Sequence, residues 1–138
     1  METLSPDGST PALDGLGSLA ARMGIEIVEA TPERVVGTMP VDGNLQPYGL
    51  LHGGASCVLA ETLGSIGAAM HAARTHGGYA VGVDINATHH RSARSGVVTG
   101  VATPLHLGGS IASYEVVITD SAGDRLCTAR LTCAVRRP

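Results

Sequence analysis

The sequence predicts an α+β domain in which a curved antiparallel sheet wraps around one long central helix. Three observations carry that expectation. Residues 54–73 place Ala, Leu, Ile, Met and Val around most of a helical circumference with few charges, and a helix apolar on all sides belongs inside a protein. Beyond Gly77-Gly78 the apolar period drops to two, the pattern of strands with one buried face. Only one long helix is then available to cover the apolar face of a many-stranded sheet.

The elements follow in order. Residues 1–13 are rich in Ser, Pro, Gly and Thr and are expected to form a flexible tail ahead of a single domain over 14–138. Asp14 is placed to cap a short helix over residues 16–23, which Gly24 ends. Residues 25–29 and 34–41 read as two strands, parted by the turn signal Thr31-Pro32-Glu33. The Gly and Pro content of residues 43–51 makes a loop. The long helix comes next, and its small residues (Gly54, Ala55, Ala60, Gly64, Gly67, Ala68, Ala69) keep it thin enough for a sheet to approach closely. Val81, Val83, Ile85 and Ala87 then alternate with Gly82, Asp84, Asn86 and Thr88, which predicts a one-sided strand. Residues 97–104, 110–119 and 124–136 continue as strands. Ser95-Gly96, Gly108-Gly109 and Ser121-Ala122-Gly123 supply tight turns between them, the last two suited to hairpins.

Composition narrows the function. With 43 % apolar and 15 % charged residues, a packed core is expected, built without Phe or Trp. A net charge of −3 gives no electrostatic reason to bind nucleic acid or an anionic membrane. All nine basic residues are Arg, so a phosphate would be held by guanidinium, His or backbone N–H. Cys57, Cys127 and Cys133 are an odd set without metal-ligand spacing, read as reduced thiols of a cytoplasmic protein. No metal or cofactor is expected. No basic stretch followed by an apolar one opens the sequence, and the longest apolar run is too short for a bilayer.

One stretch carries chemistry. Asn44-Leu45-Gln46-Pro47-Tyr48-Gly49-Leu50-Leu51-His52-Gly53-Gly54 is followed by Glu61 and Ser65 on the predicted long helix. Together with residues 84–96 (DINATHHRSARSG), it resembles the hotdog-fold acyl-CoA thioesterases of the 4-hydroxybenzoyl-CoA and phenylacetate-pathway type. The resemblance covers roughly residues 28–136. His-Gly-Gly alone occurs by chance. Gln at −6, Glu at +9 and Ser at +13 from that His, on the expected elements, make the match specific. The resemblance implies a hotdog fold, an acyl-CoA substrate, and sites built at dimer interfaces within a dimer of dimers. It also implies that the Gly53 N–H contacts the thioester oxygen and that Glu61 acts as nucleophile or general base. By the same resemblance Gln46 orients the carbonyl or water, and His89 lines the site.

The same residues make chemical sense on their own. Thioester hydrolysis needs donors on the carbonyl oxygen and a base or nucleophile within hydrogen-bond reach. Gly53-Gly54 at a helix start offers unobstructed N–H groups and the positive end of the helix dipole. Glu61 is the only carboxylate on the predicted buried helix, where burial is expected to desolvate it and keep it reactive. With a helix starting near Gly54, however, Glu61 lies about two turns in, roughly 10 Å along the axis from Gly53. One thioester cannot touch both within a chain. Two such helices antiparallel about a twofold axis would bring Glu61 of one chain towards Gly53 of the other. The spacing therefore predicts an obligate homodimer.

Plainer roles stand beside these. Glu61 would otherwise pair with an Arg, Gln46 would be an exposed loop amide, and Ser65 would bond back to its own helix rather than to Glu61 or the attacking water. His52 is expected to hold the loop and hydrogen-bond near the thioester. His89 continues the apolar face after Ala87 and should point inward, as site lining or as a satisfied core histidine; His90 then points outward. Arg91 and Arg94, by the Ser95-Gly96 turn, either hold coenzyme A phosphates or lie as ordinary surface charges. Cys57 is read as core, having no paired base. His71 and His76 are read as favourable to the helix dipole.

The expected reaction is thus acyl-CoA hydrolysis, with Glu61, Gly53, His52, Gln46 and Ser65 as the catalytic set and Gly54, His89, Arg91 and Arg94 on the substrate. Two other readings stay open. One is a hotdog hydratase or dehydratase, whose usual His and acid spacings this chain lacks. The other is a non-catalytic acyl-CoA-binding hotdog protein, which the intact Glu61 disfavours. Small and aliphatic pocket residues leave the acyl group, aromatic or aliphatic, unspecified.

Overall fold

The computed structural model describes residues 13–138, so the tail expected over 1–13 falls outside the described residues but for its last one. A 3-10 turn over Leu13–Leu16 precedes α1 (Ser18–Met23). Asp14, expected to cap the helix, lies within that turn, four residues before the helix start. The turn displaces the helix start, and Gly17, at φ 88°, takes the N-cap position without a side-chain hydrogen bond. Gly24 ends α1 in the left-handed conformation, as expected.

Next come β1 (Glu26–Thr31), β2 (Arg34–Pro40), α2 (Gly53–His76), β3 (Tyr79–His89), β4 (Val97–Leu107), β5 (Ile111–Thr119) and β6 (Arg125–Arg136). The six strands form one antiparallel sheet in the order β1-β2-β4-β5-β6-β3. After β2 the chain therefore crosses the concave side of the sheet as α2, emerges at the far edge as β3, and returns through β4 beside β2. All six strands touch α2. This is the α+β wrap that the apolar helix and the lone sheet predicted.

The absence of Phe and Trp shows in how the core closes. Gly37 and Gly100 face each other across β2 and β4, and Leu63 seats on the pair. A Cβ on either would stand 2.6 Å from a Leu63 methyl. Tyr114 is the largest fully buried side chain. It lies across Gly67 of α2, where a Cβ would meet the ring Cζ at 2.6 Å, and its hydroxyl donates to the Pro32 carbonyl. Burial pushes the phenol far above its ordinary range, so it remains a neutral donor. Helix propensity alone would make Gly67→Ala stabilising by about 1 kcal/mol. Overpacking against Tyr114 outweighs that, and a net loss of about 1–2 kcal/mol is expected in urea unfolding. An unchanged or raised midpoint would show that the ring yields freely.

Strict alternation fails in β3. Its pairing with β6 runs Gly82 to Cys133 and then Asp84 to Thr132, so Val83 is an extra residue in a bulge. Parity changes there. Ala80 and Gly82 lie on the α2 side before the bulge; Ile85, Ala87 and His89 do so after it, Gly82 and His89 remaining exposed there. Val81 and Val83, expected on the buried face with Ile85, are 39 % and 62 % exposed instead. At the other end of the domain, α2 runs three residues past its expected limit and stops at Gly77 in the left-handed conformation. There His71 is buried and donates from Nε2 to the Gly108 carbonyl at 2.7 Å, tying the helix to the β4–β5 turn. Among the described residues, no helix is long and apolar enough to cross a membrane.

Candidate active site

The loop before α2 is fastened at Asn44. Its Nδ2 donates to the carbonyls of Met23 (2.9 Å) and Pro40 (2.8 Å), and its own carbonyl accepts the His52 N–H at 2.9 Å. His52 is thereby set at the N-cap of α2 with an extended backbone, and its Nδ1 accepts the Gly54 N–H at 2.8 Å. Two consequences follow. A neutral His52 ring carries its proton on Nε2. And the Gly54 N–H, expected to be free for substrate, is consumed within the chain. The Gly53 N–H meets no acceptor among the described residues and remains one of the orphan donors at the positive end of the helix.

The end of β3 arrives at the same point. The His89 ring packs over Gly53, where a Cβ would stand 2.9 Å from Nε2. His89 points inward as expected, but it lines an opening rather than sealing a core. A cavity of about 300 Å³ lies there, walled by Gln46, Leu50 and Leu51 of the loop, Gly53 and Ser56 of α2, His89–Ala93, and Leu126. Gln46 turns its Oε1 to the N–H groups of Tyr48 and Leu50, which leaves its Nε2 as the free donor end. Arg91 stands on the wall with its guanidinium 3.5 Å from Asp124. Arg94 is exposed on the same loop, outside the cavity lining. His90 is exposed as expected, 2.9 Å from the Thr128 hydroxyl, yet it also reaches the cavity wall.

Glu61 and Ser65 are not part of this cavity. Eight residues of helix separate Glu61 from Gly53, about 12 Å along the axis. The Glu61 carboxylate rests over Gly82, where a Cβ would stand 2.8 Å from Oε1, so the bulged strand makes room for it. Within a single chain Glu61 is exposed and has no ion pair among the described residues. Its own chain therefore does not supply the burial that the sequence suggested, because the sheet leaves this flank of α2 open. Nor is the plain pairing with an Arg observed. Ser65 is half-buried beside the Cys133 thiol and bonds neither to Glu61 nor back to its helix, unlike Thr62, which returns to the Val58 carbonyl at 2.7 Å.

Cys57 is half-buried rather than core, one turn before Glu61. Burial pushes its thiol up, and the Glu61 carboxylate adds to the effect. Cys127 is pushed up to about 11 by burial and by Cys57. Cys133 is raised by burial; the Ser65 hydrogen bond opposes this and Glu61 reinforces it. None of the three is a thiolate nucleophile at neutral pH.

Ser56 and Leu126 are cavity residues that sequence reasoning passed over. Leu126 gave no signal, since it read as one more strand residue. Ser56 did give one: a hydroxyl three residues after Gly53 in an otherwise apolar first turn.

Similarity to known proteins agrees with the geometry. Residues 48–127 match the family model described as the thioesterase superfamily. The proofreading thioesterase EntH of Cronobacter turicensis is 47 % identical over 121 residues, 87 % of each chain. The crystal structure of a thioesterase from Haemophilus influenzae superposes with a TM-score of 0.84 at 39 % identity, covering 94 % of each chain. A hypothetical thioesterase of Streptococcus pneumoniae, solved with coenzyme A, shares the fold at a TM-score of 0.76 and 23 % identity, over 88 % of this chain and 94 % of that one. With its helix-wrapping sheet and its His-Gly-Gly helix start, the chain belongs to the thioesterase superfamily and is a hotdog-fold thioesterase.

Proposed function

We propose that the chain hydrolyses acyl-coenzyme A thioesters to a carboxylic acid and free coenzyme A, at two equivalent sites shared between the subunits of a homodimer. The observation that carries this reading is the division of the site. The free Gly53 N–H, the Gln46 Nε2 and His89 converge on one cavity, whereas Glu61 faces outward further along the same helix. In each site the thioester oxygen accepts from Gly53 N–H, and Gln46 orients the carbonyl. Glu61 of the partner subunit activates a water for attack on the carbonyl carbon, or attacks that carbon itself to give an acyl anhydride that water then hydrolyses. The carbon–sulfur bond breaks, and the coenzyme A thiolate leaves and takes up a proton. His52 keeps the helix start in place, Gly54 serves through its bond to that cap, and Ser65 lines the approach to Glu61. Arg91 and Arg94 meet the coenzyme A phosphates.

Two features support the dimer. The flank of α2 left uncovered by the sheet is a stripe of Val58, Glu61, Thr62, Ser65 and Ala69, all but Glu61 half-buried. The β3 edge exposes Tyr79, Val81 and Val83 beside an unpaired backbone. A second copy covering both would desolvate Glu61, as catalysis requires. A dimer of dimers is the larger assembly that the family resemblance implies. The Streptococcus pneumoniae structure supports coenzyme A as the thiol, and three free cysteines support a reducing, cytoplasmic setting.

Thiol release from a panel of aryl and aliphatic acyl-CoA substrates, followed with a coloured thiol reagent, tests the reading. Turnover on the order of 1–10³ s⁻¹ is expected for the preferred acyl group. Tight binding of acyl-CoA without thiol release, or water addition to an enoyl-CoA, would contradict it.

A further inference from the structure

We propose that Ser56 is a second donor of the oxyanion hole, its hydroxyl hydrogen-bonding the thioester oxygen beside the Gly53 N–H. The inference rests on the hydrolytic reading of the cavity and adds to it a residue that contacts substrate.

Ser56 is 3 % exposed as a residue, and what surface its hydroxyl keeps is confined to its immediate surroundings. Its hydroxyl makes no hydrogen bond with any described residue. Thr62 and Thr75, on the same helix, return their hydroxyls to the carbonyls of Val58 (2.7 Å) and His71 (2.8 Å). Ser56 does not, and it is one of the two α2 residues that line the cavity. Its own N–H is bonded to the His52 carbonyl at 3.3 Å, so its place in the first turn is fixed.

Direction follows from helix geometry. Every Cα–Cβ bond in an α-helix tilts towards the N-terminus, so a side chain covers the turn before its own Cα. For Ser56 that turn holds Gly53, whose missing Cβ leaves the way open. The Ser56 hydroxyl and the Gly53 N–H therefore converge on the same space. The other amide able to serve as second donor, that of Gly54, already bonds His52 Nδ1. Leu50, Leu51, Ala93 and Leu126 add no side-chain donor, and the cavity's other polar side chains, among them the Gln46 amide that orients the carbonyl, come from the loop and the end of β3 rather than from α2. A hydroxyl held by a buried turn, aimed where negative charge develops on oxygen, strengthens its bond as the tetrahedral intermediate forms.

The test separates this role from a structural one. Ser56→Ala is expected to lower kcat roughly 10- to 100-fold with KM changed less than about threefold, and Ser56→Thr, which keeps the hydroxyl, to recover most of the rate. Two unreactive coenzyme A analogues give a second readout. One replaces the thioester sulfur by methylene and keeps the carbonyl; the other is a thioether that lacks the carbonyl. Ser56→Ala should weaken the ketone roughly tenfold and leave the thioether unchanged. Equal weakening of both analogues, or a kcat within about twofold of wild type, overturns the proposal. If the wild-type chain releases no thiol from any acyl-CoA, the hydrolytic reading fails separately, and the analogue pair still decides whether Ser56 holds a carbonyl.

Discussion

Glu61→Ala is expected to lower kcat by roughly 10³-fold, about 4 kcal/mol at the transition state, while the protein still folds and assembles. The chemistry needs one carboxylate to attack the thioester or to take a proton from water, and α2 carries no other. The fold needs Glu61 little, because its side chain is exposed and pairs with no cation among the described residues. Glu61→Gln keeps the shape over Gly82 and should be as inactive as Ala, which separates loss of the carboxylate from loss of packing. Steady-state thiol release, with unfolding midpoint and oligomeric state measured alongside, checks both halves. Turnover near wild type in either variant would remove Glu61 from the reaction.

Gly53→Pro is expected to cost roughly 10²- to 10³-fold in kcat, equivalent to about 3–4 kcal/mol. Proline suits the first helical position, where the missing N–H is an orphan in any case. The extended backbone of His52, φ −66° and ψ 129°, is also what a residue before proline adopts. The substitution therefore deletes the proposed oxyanion donor with little reason for the helix to move. Any side chain here crowds the His89 ring, so Gly53→Ala is the necessary control: it adds the Cβ and keeps the N–H. Alanine should lose clearly less activity than proline. Equal losses would assign the effect to His89 displacement and leave the amide without a role.

Much of this fold was legible because its elements have opposite periods. An apolar-all-round helix followed by alternating strands admits few packings, and the His-Gly-Gly segment fell at the helix start as read. The bulge at Val83 was not legible. Val81, Val83 and Ile85 continue an unbroken alternation, and only pairing with β6 reveals that one residue is extra. That register decides the site, because it turns Gly82 under Glu61 and His89 over Gly53. Burial of Glu61 was overread for a related reason. An apolar helix pattern states that a flank is covered, not whether the chain's own sheet or a second chain covers it. The free Gly54 N–H was overread as well, since a histidine reaching forward to cap a helix leaves no mark in residue spacing. Conversely, the roughly two-turn offset of Glu61 from Gly53 needed only the rise per residue of a helix, and the structure keeps the two apart.

Sharing of each site between two chains can be measured by complementation. Glu61→Ala and Gly53→Pro chains carrying different tags are coexpressed, and the mixed dimer is isolated through both tags. If Gly53 of one chain works with Glu61 of the other, the mixed dimer holds one intact site and one doubly defective site. Its predicted activity is about half that of wild type, although each parent homodimer is nearly inactive. A mixed dimer as inactive as its parents would place Gly53 and Glu61 of the same chain in one site and contradict the account.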